Sequence, residues 1–163
     1  MPVVHAADAV VHDLHGSRFS SYAAPARGST ELCAWRLDVA PGSQGVTHTV
    51  SREEILFILT GTLLVTLGEG ATAGQPATVH QAATVHQAAT VRQAATLRPA
   101  AQAGVQAAAG QPARPGDAVV VPPGSSLRVD NPGDEPASAW VTASAGLEAV
   151  LPDGSRLSPP WTR

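Results

Sequence analysis

Lysine is absent from the 163-residue chain, and all ten basic side chains are arginine. With 13 acidic residues the formal net charge is -3. Neither sign dominates, so the chain lacks the basic surface that attracts nucleic acid or an anionic membrane. Cysteine occurs once, at Cys33, so no disulfide can close within the chain. That fits a reducing compartment. No apolar run approaches the length of a membrane span. The first residues, Met1 to Asp8, lack the basic start and long apolar core of a signal peptide. A soluble cytoplasmic protein is expected, with no nucleic-acid or membrane partner. Charged residues are also scarce, at 14%, against 44% hydrophobic. Alanine swells the second figure, but the balance is that of a globular chain, and the length suits one domain over residues 1–163.

Short apolar runs are cut by Gly, Pro, Asn and Asp along most of the sequence. Strands are expected at Glu31–Val39, Glu54–Leu59, Thr62–Leu67, Ala118–Val121, Ser126–Val129, Ala137–Ser144, Leu147–Leu151 and Ser155–Leu157. The intervening Ala40-Pro41-Gly42, Thr60-Gly61, Asn131-Pro132-Gly133-Asp134 and Pro152-Asp153-Gly154 are turn sequences. Many short strands without a strongly amphipathic helix indicate an all-β sandwich or barrel. No helix-turn-helix accompanies them, which argues against a DNA-binding regulator.

One segment departs from this pattern. From Ala77 the chain repeats Ala-Thr-Val-His-Gln-Ala, then the same with Arg in place of His, then Ala-Thr-Leu-Arg-Pro-Ala. Residues 71–115 hold three arginines and no acid, so the remainder carries a formal -6. Such composition marks a low-complexity insertion at about 71–115. A six-residue step advances about 600° around an α-helix, so Val79, Val85 and Val91 share no helical face. A hexapeptide β-helix needs more stacked turns than this run supplies. An exposed loop is expected, with solvated His80 and His86 and no chemistry of its own.

Two spaced patterns flank the insertion. In the first, Gly42 is followed by His48, Val50, Glu54 and Gly61, spanning residues 42–61. In the second, Gly116 is followed by Pro122, Gly124, Leu127 and Asn131, spanning residues 116–131. These spacings resemble the two motifs of the cupin superfamily, G-x5-H-x-H-x3-E-x6-G and G-x5-P-x-G-x2-H-x3-N. Eight of the ten landmarks are matched. Val50 and Leu127 stand where the second and third histidines of the family would be. The resemblance runs from about Leu32 to Ser144, less the repeat, and implies an antiparallel jelly-roll β-barrel. It also implies a homodimer, since dimers are common in the family. In metal-binding cupins the three histidines and the glutamate hold a divalent transition metal inside the barrel.

Strand geometry fits that placement. His48 and Val50, two apart on a strand, share a face. Glu54 can rejoin that face from the next strand, and Leu127 from a third. The ligand set is nonetheless incomplete. One imidazole and one carboxylate form a weak chelate, whereas iron, nickel and zinc sites generally need three or more protein ligands. No cofactor is expected; a metal, if present, would use His48 and Glu54.

Three readings of His48 and Glu54 stand. They can be a hydrogen-bonded pair with no catalytic task. They can be an acid-base pair in a pocket dried by Val50 and Leu127, with the carboxylate pKa raised. They can hold a metal completed by other ligands, for which His5, His12 and His15 are the remaining histidines outside the repeat. Trp35, Trp140 and Trp161 can line a pocket or simply fill a core. Arg36 and Arg52 can meet an acidic ligand or sit as exposed charges. Glu53 is one residue too close to His48 for the family spacing, so Glu54 takes the role. Cys33 reads as a small core residue.

The expectation is a small-molecule-binding cupin with a metal-poor pocket centred on His48 and Glu54, with Val50 and Leu127 also touching the ligand. Two alternatives remain open. The first is an enzyme, either a metal-independent isomerase, dehydratase, lyase or cyclase, or a variant metalloenzyme. The second is a structural or interaction protein whose barrel is filled by side chains.

Overall fold

Chain reversals cut the described residues, 3–69 and 109–163, into twelve short strands and three 3₁₀ turns in a computed structural model of the protein. One sheet runs in the order β1 (Val10–Leu14), β2 (Ser17–Ala23), β3 (Leu32–Val39), β10 (Ala137–Ser144), β5 (Glu54–Thr60), β8 (Ala118–Val121). The other runs β12 (Arg156–Leu157), β11 (Ala149–Val150), β4 (His48–Val50), β9 (Ser125–Asp130), β6 (Leu63–Glu69), β7 (Gln111–Ala113). The chain changes sheet at each step from β3 to β6 and again from β7 to β11, and each pairing is antiparallel. The result is an all-β jelly-roll barrel. Among the described residues no helix is long and apolar enough to cross a membrane.

Period-two alternation sets the inner faces. Cys33, Trp35, Leu37 and Val39 of β3 point inward and are buried. Ala137, Ala139, Val141 and Ala143 of β10 do the same, their small side chains lying beside the larger ones of β3 and β5. On β5 the inward series is Glu54, Leu56 and Ile58, while Ile55, Phe57 and Leu59 face out. A carboxyl therefore takes one place in an otherwise aliphatic row.

Motif residues outside the pocket hold the turns. Gly61 has φ +70, and a Cβ there would lie 2.7 Å from Ala137, so both conformation and space require glycine. Asn131 is buried beyond the end of β9. Its Nδ2 donates to the Val39 carbonyl at 3.1 Å and the Glu135 carbonyl at 2.8 Å, and its Oδ1 accepts from the Gly133 amide at 3.1 Å. One side chain thus ties the β9–β10 turn to the end of β3.

The sequence-based boundaries need two corrections. Strand β7 lies within the span 71–115 read as insertion: Gln111, Pro112 and Ala113 pair with Val65, Leu64 and Leu63, and Ala113 is buried. The barrel therefore resumes before Gly116. The hexapeptide repeat itself, with His80 and His86, lies outside the described residues. At the other end, β1 and β2 form a hairpin that the apolar pattern did not show. Its two-residue turn, His15-Gly16, has φ +49 and +75, the left-handed pair that suits a tight hairpin.

Candidate functional site

The loop before β4 fixes where its side chains fall. The Gly45 amide donates to Asp130 Oδ1 at 2.8 Å, and the Asn131 amide donates to the Ser43 carbonyl at 2.9 Å. These bonds lay the loop along the end of β9, and β4 then pairs with β9 so that His48 faces Leu127. After Val50 the chain bends. The Gly124 amide donates to the Val50 carbonyl at 2.8 Å, and Ser51 exchanges bonds with Glu148 through its amide and its hydroxyl. Strand β5 then starts at Glu54, between Val121 of β8 and Ala143 of β10. Glu53 is exposed and Glu54 is 6% exposed, so only the second faces inward.

His48, Val50, Glu54 and Leu127 line one cavity of about 280 Å³ between the sheets. Its walls are mostly aliphatic and aromatic, with Trp35 and Leu37 from β3, Leu56 from β5 and Phe19 from β2. The C-terminal tail closes another side. Trp161, in the 3₁₀ turn Pro160–Thr162, stacks on Phe19 with ring centroids 3.7 Å apart and planes 11° apart. The tail is tied down where Ser21 Oγ donates to the Trp161 carbonyl at 2.8 Å and Cys33 Sγ to the Thr162 carbonyl at 3.2 Å. Cys33 is fully buried there, and burial pushes its thiol pKa up, as suits an inert core residue.

Glu54 receives no hydrogen bond from the described residues. Among those residues, no side-chain N or O is both sealed from solvent and without a partner. The Glu54 oxygens therefore open onto the cavity. Burial pushes this carboxyl up to about 7.

The hydrogen-bonded His48–Glu54 pair considered from the sequence is not formed. His48 Nδ1 instead bonds the Val46 carbonyl at 2.9 Å. A carbonyl only accepts, so Nδ1 carries the proton. In the neutral ring Nε2 is then an acceptor. His48 is only half-buried, so Glu54 is the deeper of the two polar groups.

Other candidates separate cleanly. Trp35 and Trp161 line the cavity, whereas Trp140 sits on the outer face of its sheet beside Tyr22, with ring centroids 5.2 Å apart. Arg36 is an exposed partner of Asp38 at 2.7 Å, and Arg52 donates to the Gly146 carbonyl at 3.2 Å; neither lines the cavity. His15 borders both the cavity and a shallower outer groove of about 640 Å³ along the β1–β2 hairpin. His12 lies 6.2 Å from Trp161, ring to ring, and His5 is exposed. Phe19, Leu147, Leu157 and Pro159 are cavity residues that sequence reasoning did not reach.

A family-type metal does not fit this donor set. Two of the four family positions are aliphatic, and among the described residues no three His, Cys, Asp or Glu side chains gather closely enough to hold an ion. His5, His12 and His15 do not complete a group with His48 and Glu54.

No curated protein matches the sequence. Solved structures do. A polyketide cyclase from Streptomyces resistomycificus superposes with TM-score 0.58 at 12% identity, over 88% of this chain and 79% of its own. A sugar phosphate isomerase of the cupin superfamily from Silicibacter pomeroyi gives 0.57 at 12%, over 99% and 95%. Drosophila melanogaster CENP-C, solved bound to CAL1, gives 0.56 at 10%, over 87% and 85%. At such identities the likeness establishes the fold alone, and the three carry different roles on it. The Cupin family model matches residues 17–152, a span that takes in both motifs and the strands from β2 to β11. The chain belongs to the cupin family.

Proposed function

We propose that the barrel cavity binds a small molecule, without a tightly held metal, and that Glu54 is its polar centre. One observation carries this reading: a deeply buried carboxyl with no partner among the described residues opens onto a cavity of about 280 Å³. A ligand that bonds Glu54 there gains a hydrogen bond shielded by apolar walls, with a net contribution of about 0.5–1.5 kcal/mol. A barrel serving only as structure has no need of that arrangement, and an open cavity argues against the filled-barrel alternative. Val50 and Leu127 make the contacts that the family's histidines would otherwise reserve for a metal.

The acid-base reading gains support from the same geometry. A carboxyl poised near neutrality can give or take a proton. His48, with Nδ1 committed to Val46, offers Nε2 as the complementary acceptor on the same cavity. Isomerisation, dehydration, lyase and cyclisation chemistry can all use an acid and a base placed on one cavity. Two structural neighbours carry the names cyclase and isomerase.

The test is a mixed fragment library screened by ligand-observed NMR against the unmodified protein and against Val50→Phe, which fills the cavity. Hits on the first that vanish on the second are expected. If no fragment distinguishes the two folded proteins, the cavity is not a binding site.

A further inference from the structure

We propose that the cavity selects an uncharged, mostly apolar ring compound of one to two fused rings, bearing one oxygen that bonds Glu54, and that it rejects anions such as phosphate esters and carboxylates. The proposal rests on the binding reading above and names the class of molecule.

Size comes first. A cavity of roughly 150 Å³ with apolar walls accommodates a benzene. The barrel cavity, at about 280 Å³, is nearly twice that. Composition comes next. Trp35, Phe19 and Trp161 give the lining an aromatic share out of proportion to a chain with only six aromatic residues. Flat apolar surfaces of this kind bury ring faces well. Charge then decides between ring compounds. Among the described residues no arginine lines the cavity, and the chain has no lysine. The ionisable side chains that do line it are His15, His48, Glu54 and Glu148, and Glu148 already holds Arg156 at 2.9 Å. An anion entering would find no arginine or lysine head group among the described lining residues, only two imidazoles, and would give up much of its hydration to an otherwise apolar wall. Sites for phosphate and carboxylate ligands normally use bidentate arginine or lysine. Glu54 supplies the one buried polar contact. Below neutral pH it is mostly protonated and can donate to a carbonyl or hydroxyl oxygen.

Calorimetric titration of the full chain at pH 6 tests this with four probes. They are 2-naphthol, naphthalene, 2-naphthoate and ribose 5-phosphate. We expect 2-naphthol to bind one per chain, at least tenfold more tightly than either anion and about three- to tenfold more tightly than naphthalene. In Glu54→Leu the preference for naphthol over naphthalene should disappear while naphthalene still binds. Should that variant misfold, Glu54→Gln keeps the volume and should retain part of the preference. Equal or tighter binding of either anion overturns the proposed class and leaves the cavity as a binding site. Failure of all four probes overturns the class as well, and the fragment screen then decides separately whether the cavity binds anything. A preference for naphthol that survives in Glu54→Leu overturns the role of Glu54.

Discussion

Glu54 occupies an inward place on β5 by the same alternation that buries Leu56 and Ile58. Its environment sets the sign of a pH effect. An acid whose folded pKa exceeds its unfolded value binds more protons when folded, so stability falls as pH rises between the two values. For Glu54 that window runs from the ordinary 4.5 to about 7. The loss is about 3 kcal/mol, absent below the window and complete above it. Urea denaturation at pH 5 and pH 8 should therefore show unmodified protein losing stability relative to Glu54→Gln as pH rises. A gap between the two proteins that stays constant would mean that Glu54 is not desolvated. Val50 and Leu127 support a second prediction. Leu127 lies opposite His48 in register, and Val50 lines the same cavity. Val50→His with Leu127→His should give three imidazoles and a carboxylate. Nickel or zinc titrated by calorimetry should bind this variant at least 100-fold more tightly than the unmodified protein, and more weakly as pH falls and the histidines protonate. Stoichiometric metal in the unmodified protein would refute the metal-poor reading.

At the scale of elements, the spaced landmarks were legible because each has a local physical cause. Gly61 and Asn131 are demanded by a crowded turn and by a set of backbone groups needing partners, and such demands leave fixed spacings. Strands bounded by Gly and Pro, such as Ala137–Ser144 and Ala118–Val121, are legible to their true ends. The β1–β2 hairpin is not legible in the apolar pattern, since Val10–Leu14, at the sheet edge, and Ser17–Ala23, beside it, mix polar and apolar residues; its signal is the His15-Gly16 turn. Cavity walls such as Phe19 and Leu147 depend on contacts between distant segments, which spacing does not encode. Strand β7 was hidden by an alanine-, glutamine- and proline-rich composition it shares with the repeat. This bears on excision. Replacing residues 73–107 with a short Gly-Ser linker should shift stability by about 1 kcal/mol or less, because loop length enters closure entropy only logarithmically. Extending the deletion through Ala113 should cost several-fold more, since that residue is buried and paired to Leu63. Thermal unfolding of both variants separates these outcomes. Equal damage from the two deletions would show that the repeat packs into the domain.

For the molecule as a whole, the part of one outer sheet face formed by β5, β8 and β10 is unusually apolar, bordered by the Arg36–Asp38 pair of β3. Ile55, Phe57, Leu59 and Val120 remain exposed there, Phe57 by 47%, with Trp140 beside them. Strands β5, β8 and β10 place no charged side chain on this face. A second copy can therefore meet it without like-charge repulsion, and such patches commonly mark association sites. We expect light scattering to report a homodimer, and Phe57→Asp to halve the mass while leaving the fold intact. A monomer mass for the unmodified protein at all accessible concentrations would reject this. A different consequence follows from the pairing of β6 with β7, the strands that flank the repeat. The described chain leaves one strand and resumes in its neighbour, so gain or loss of whole hexapeptides between them should leave the β6–β7 register as it is. In a gene, tandem arrays of this kind are prone to slippage during replication, in multiples of whole codons that preserve the reading frame. Alleles with different numbers of repeats should then share one barrel and one cavity.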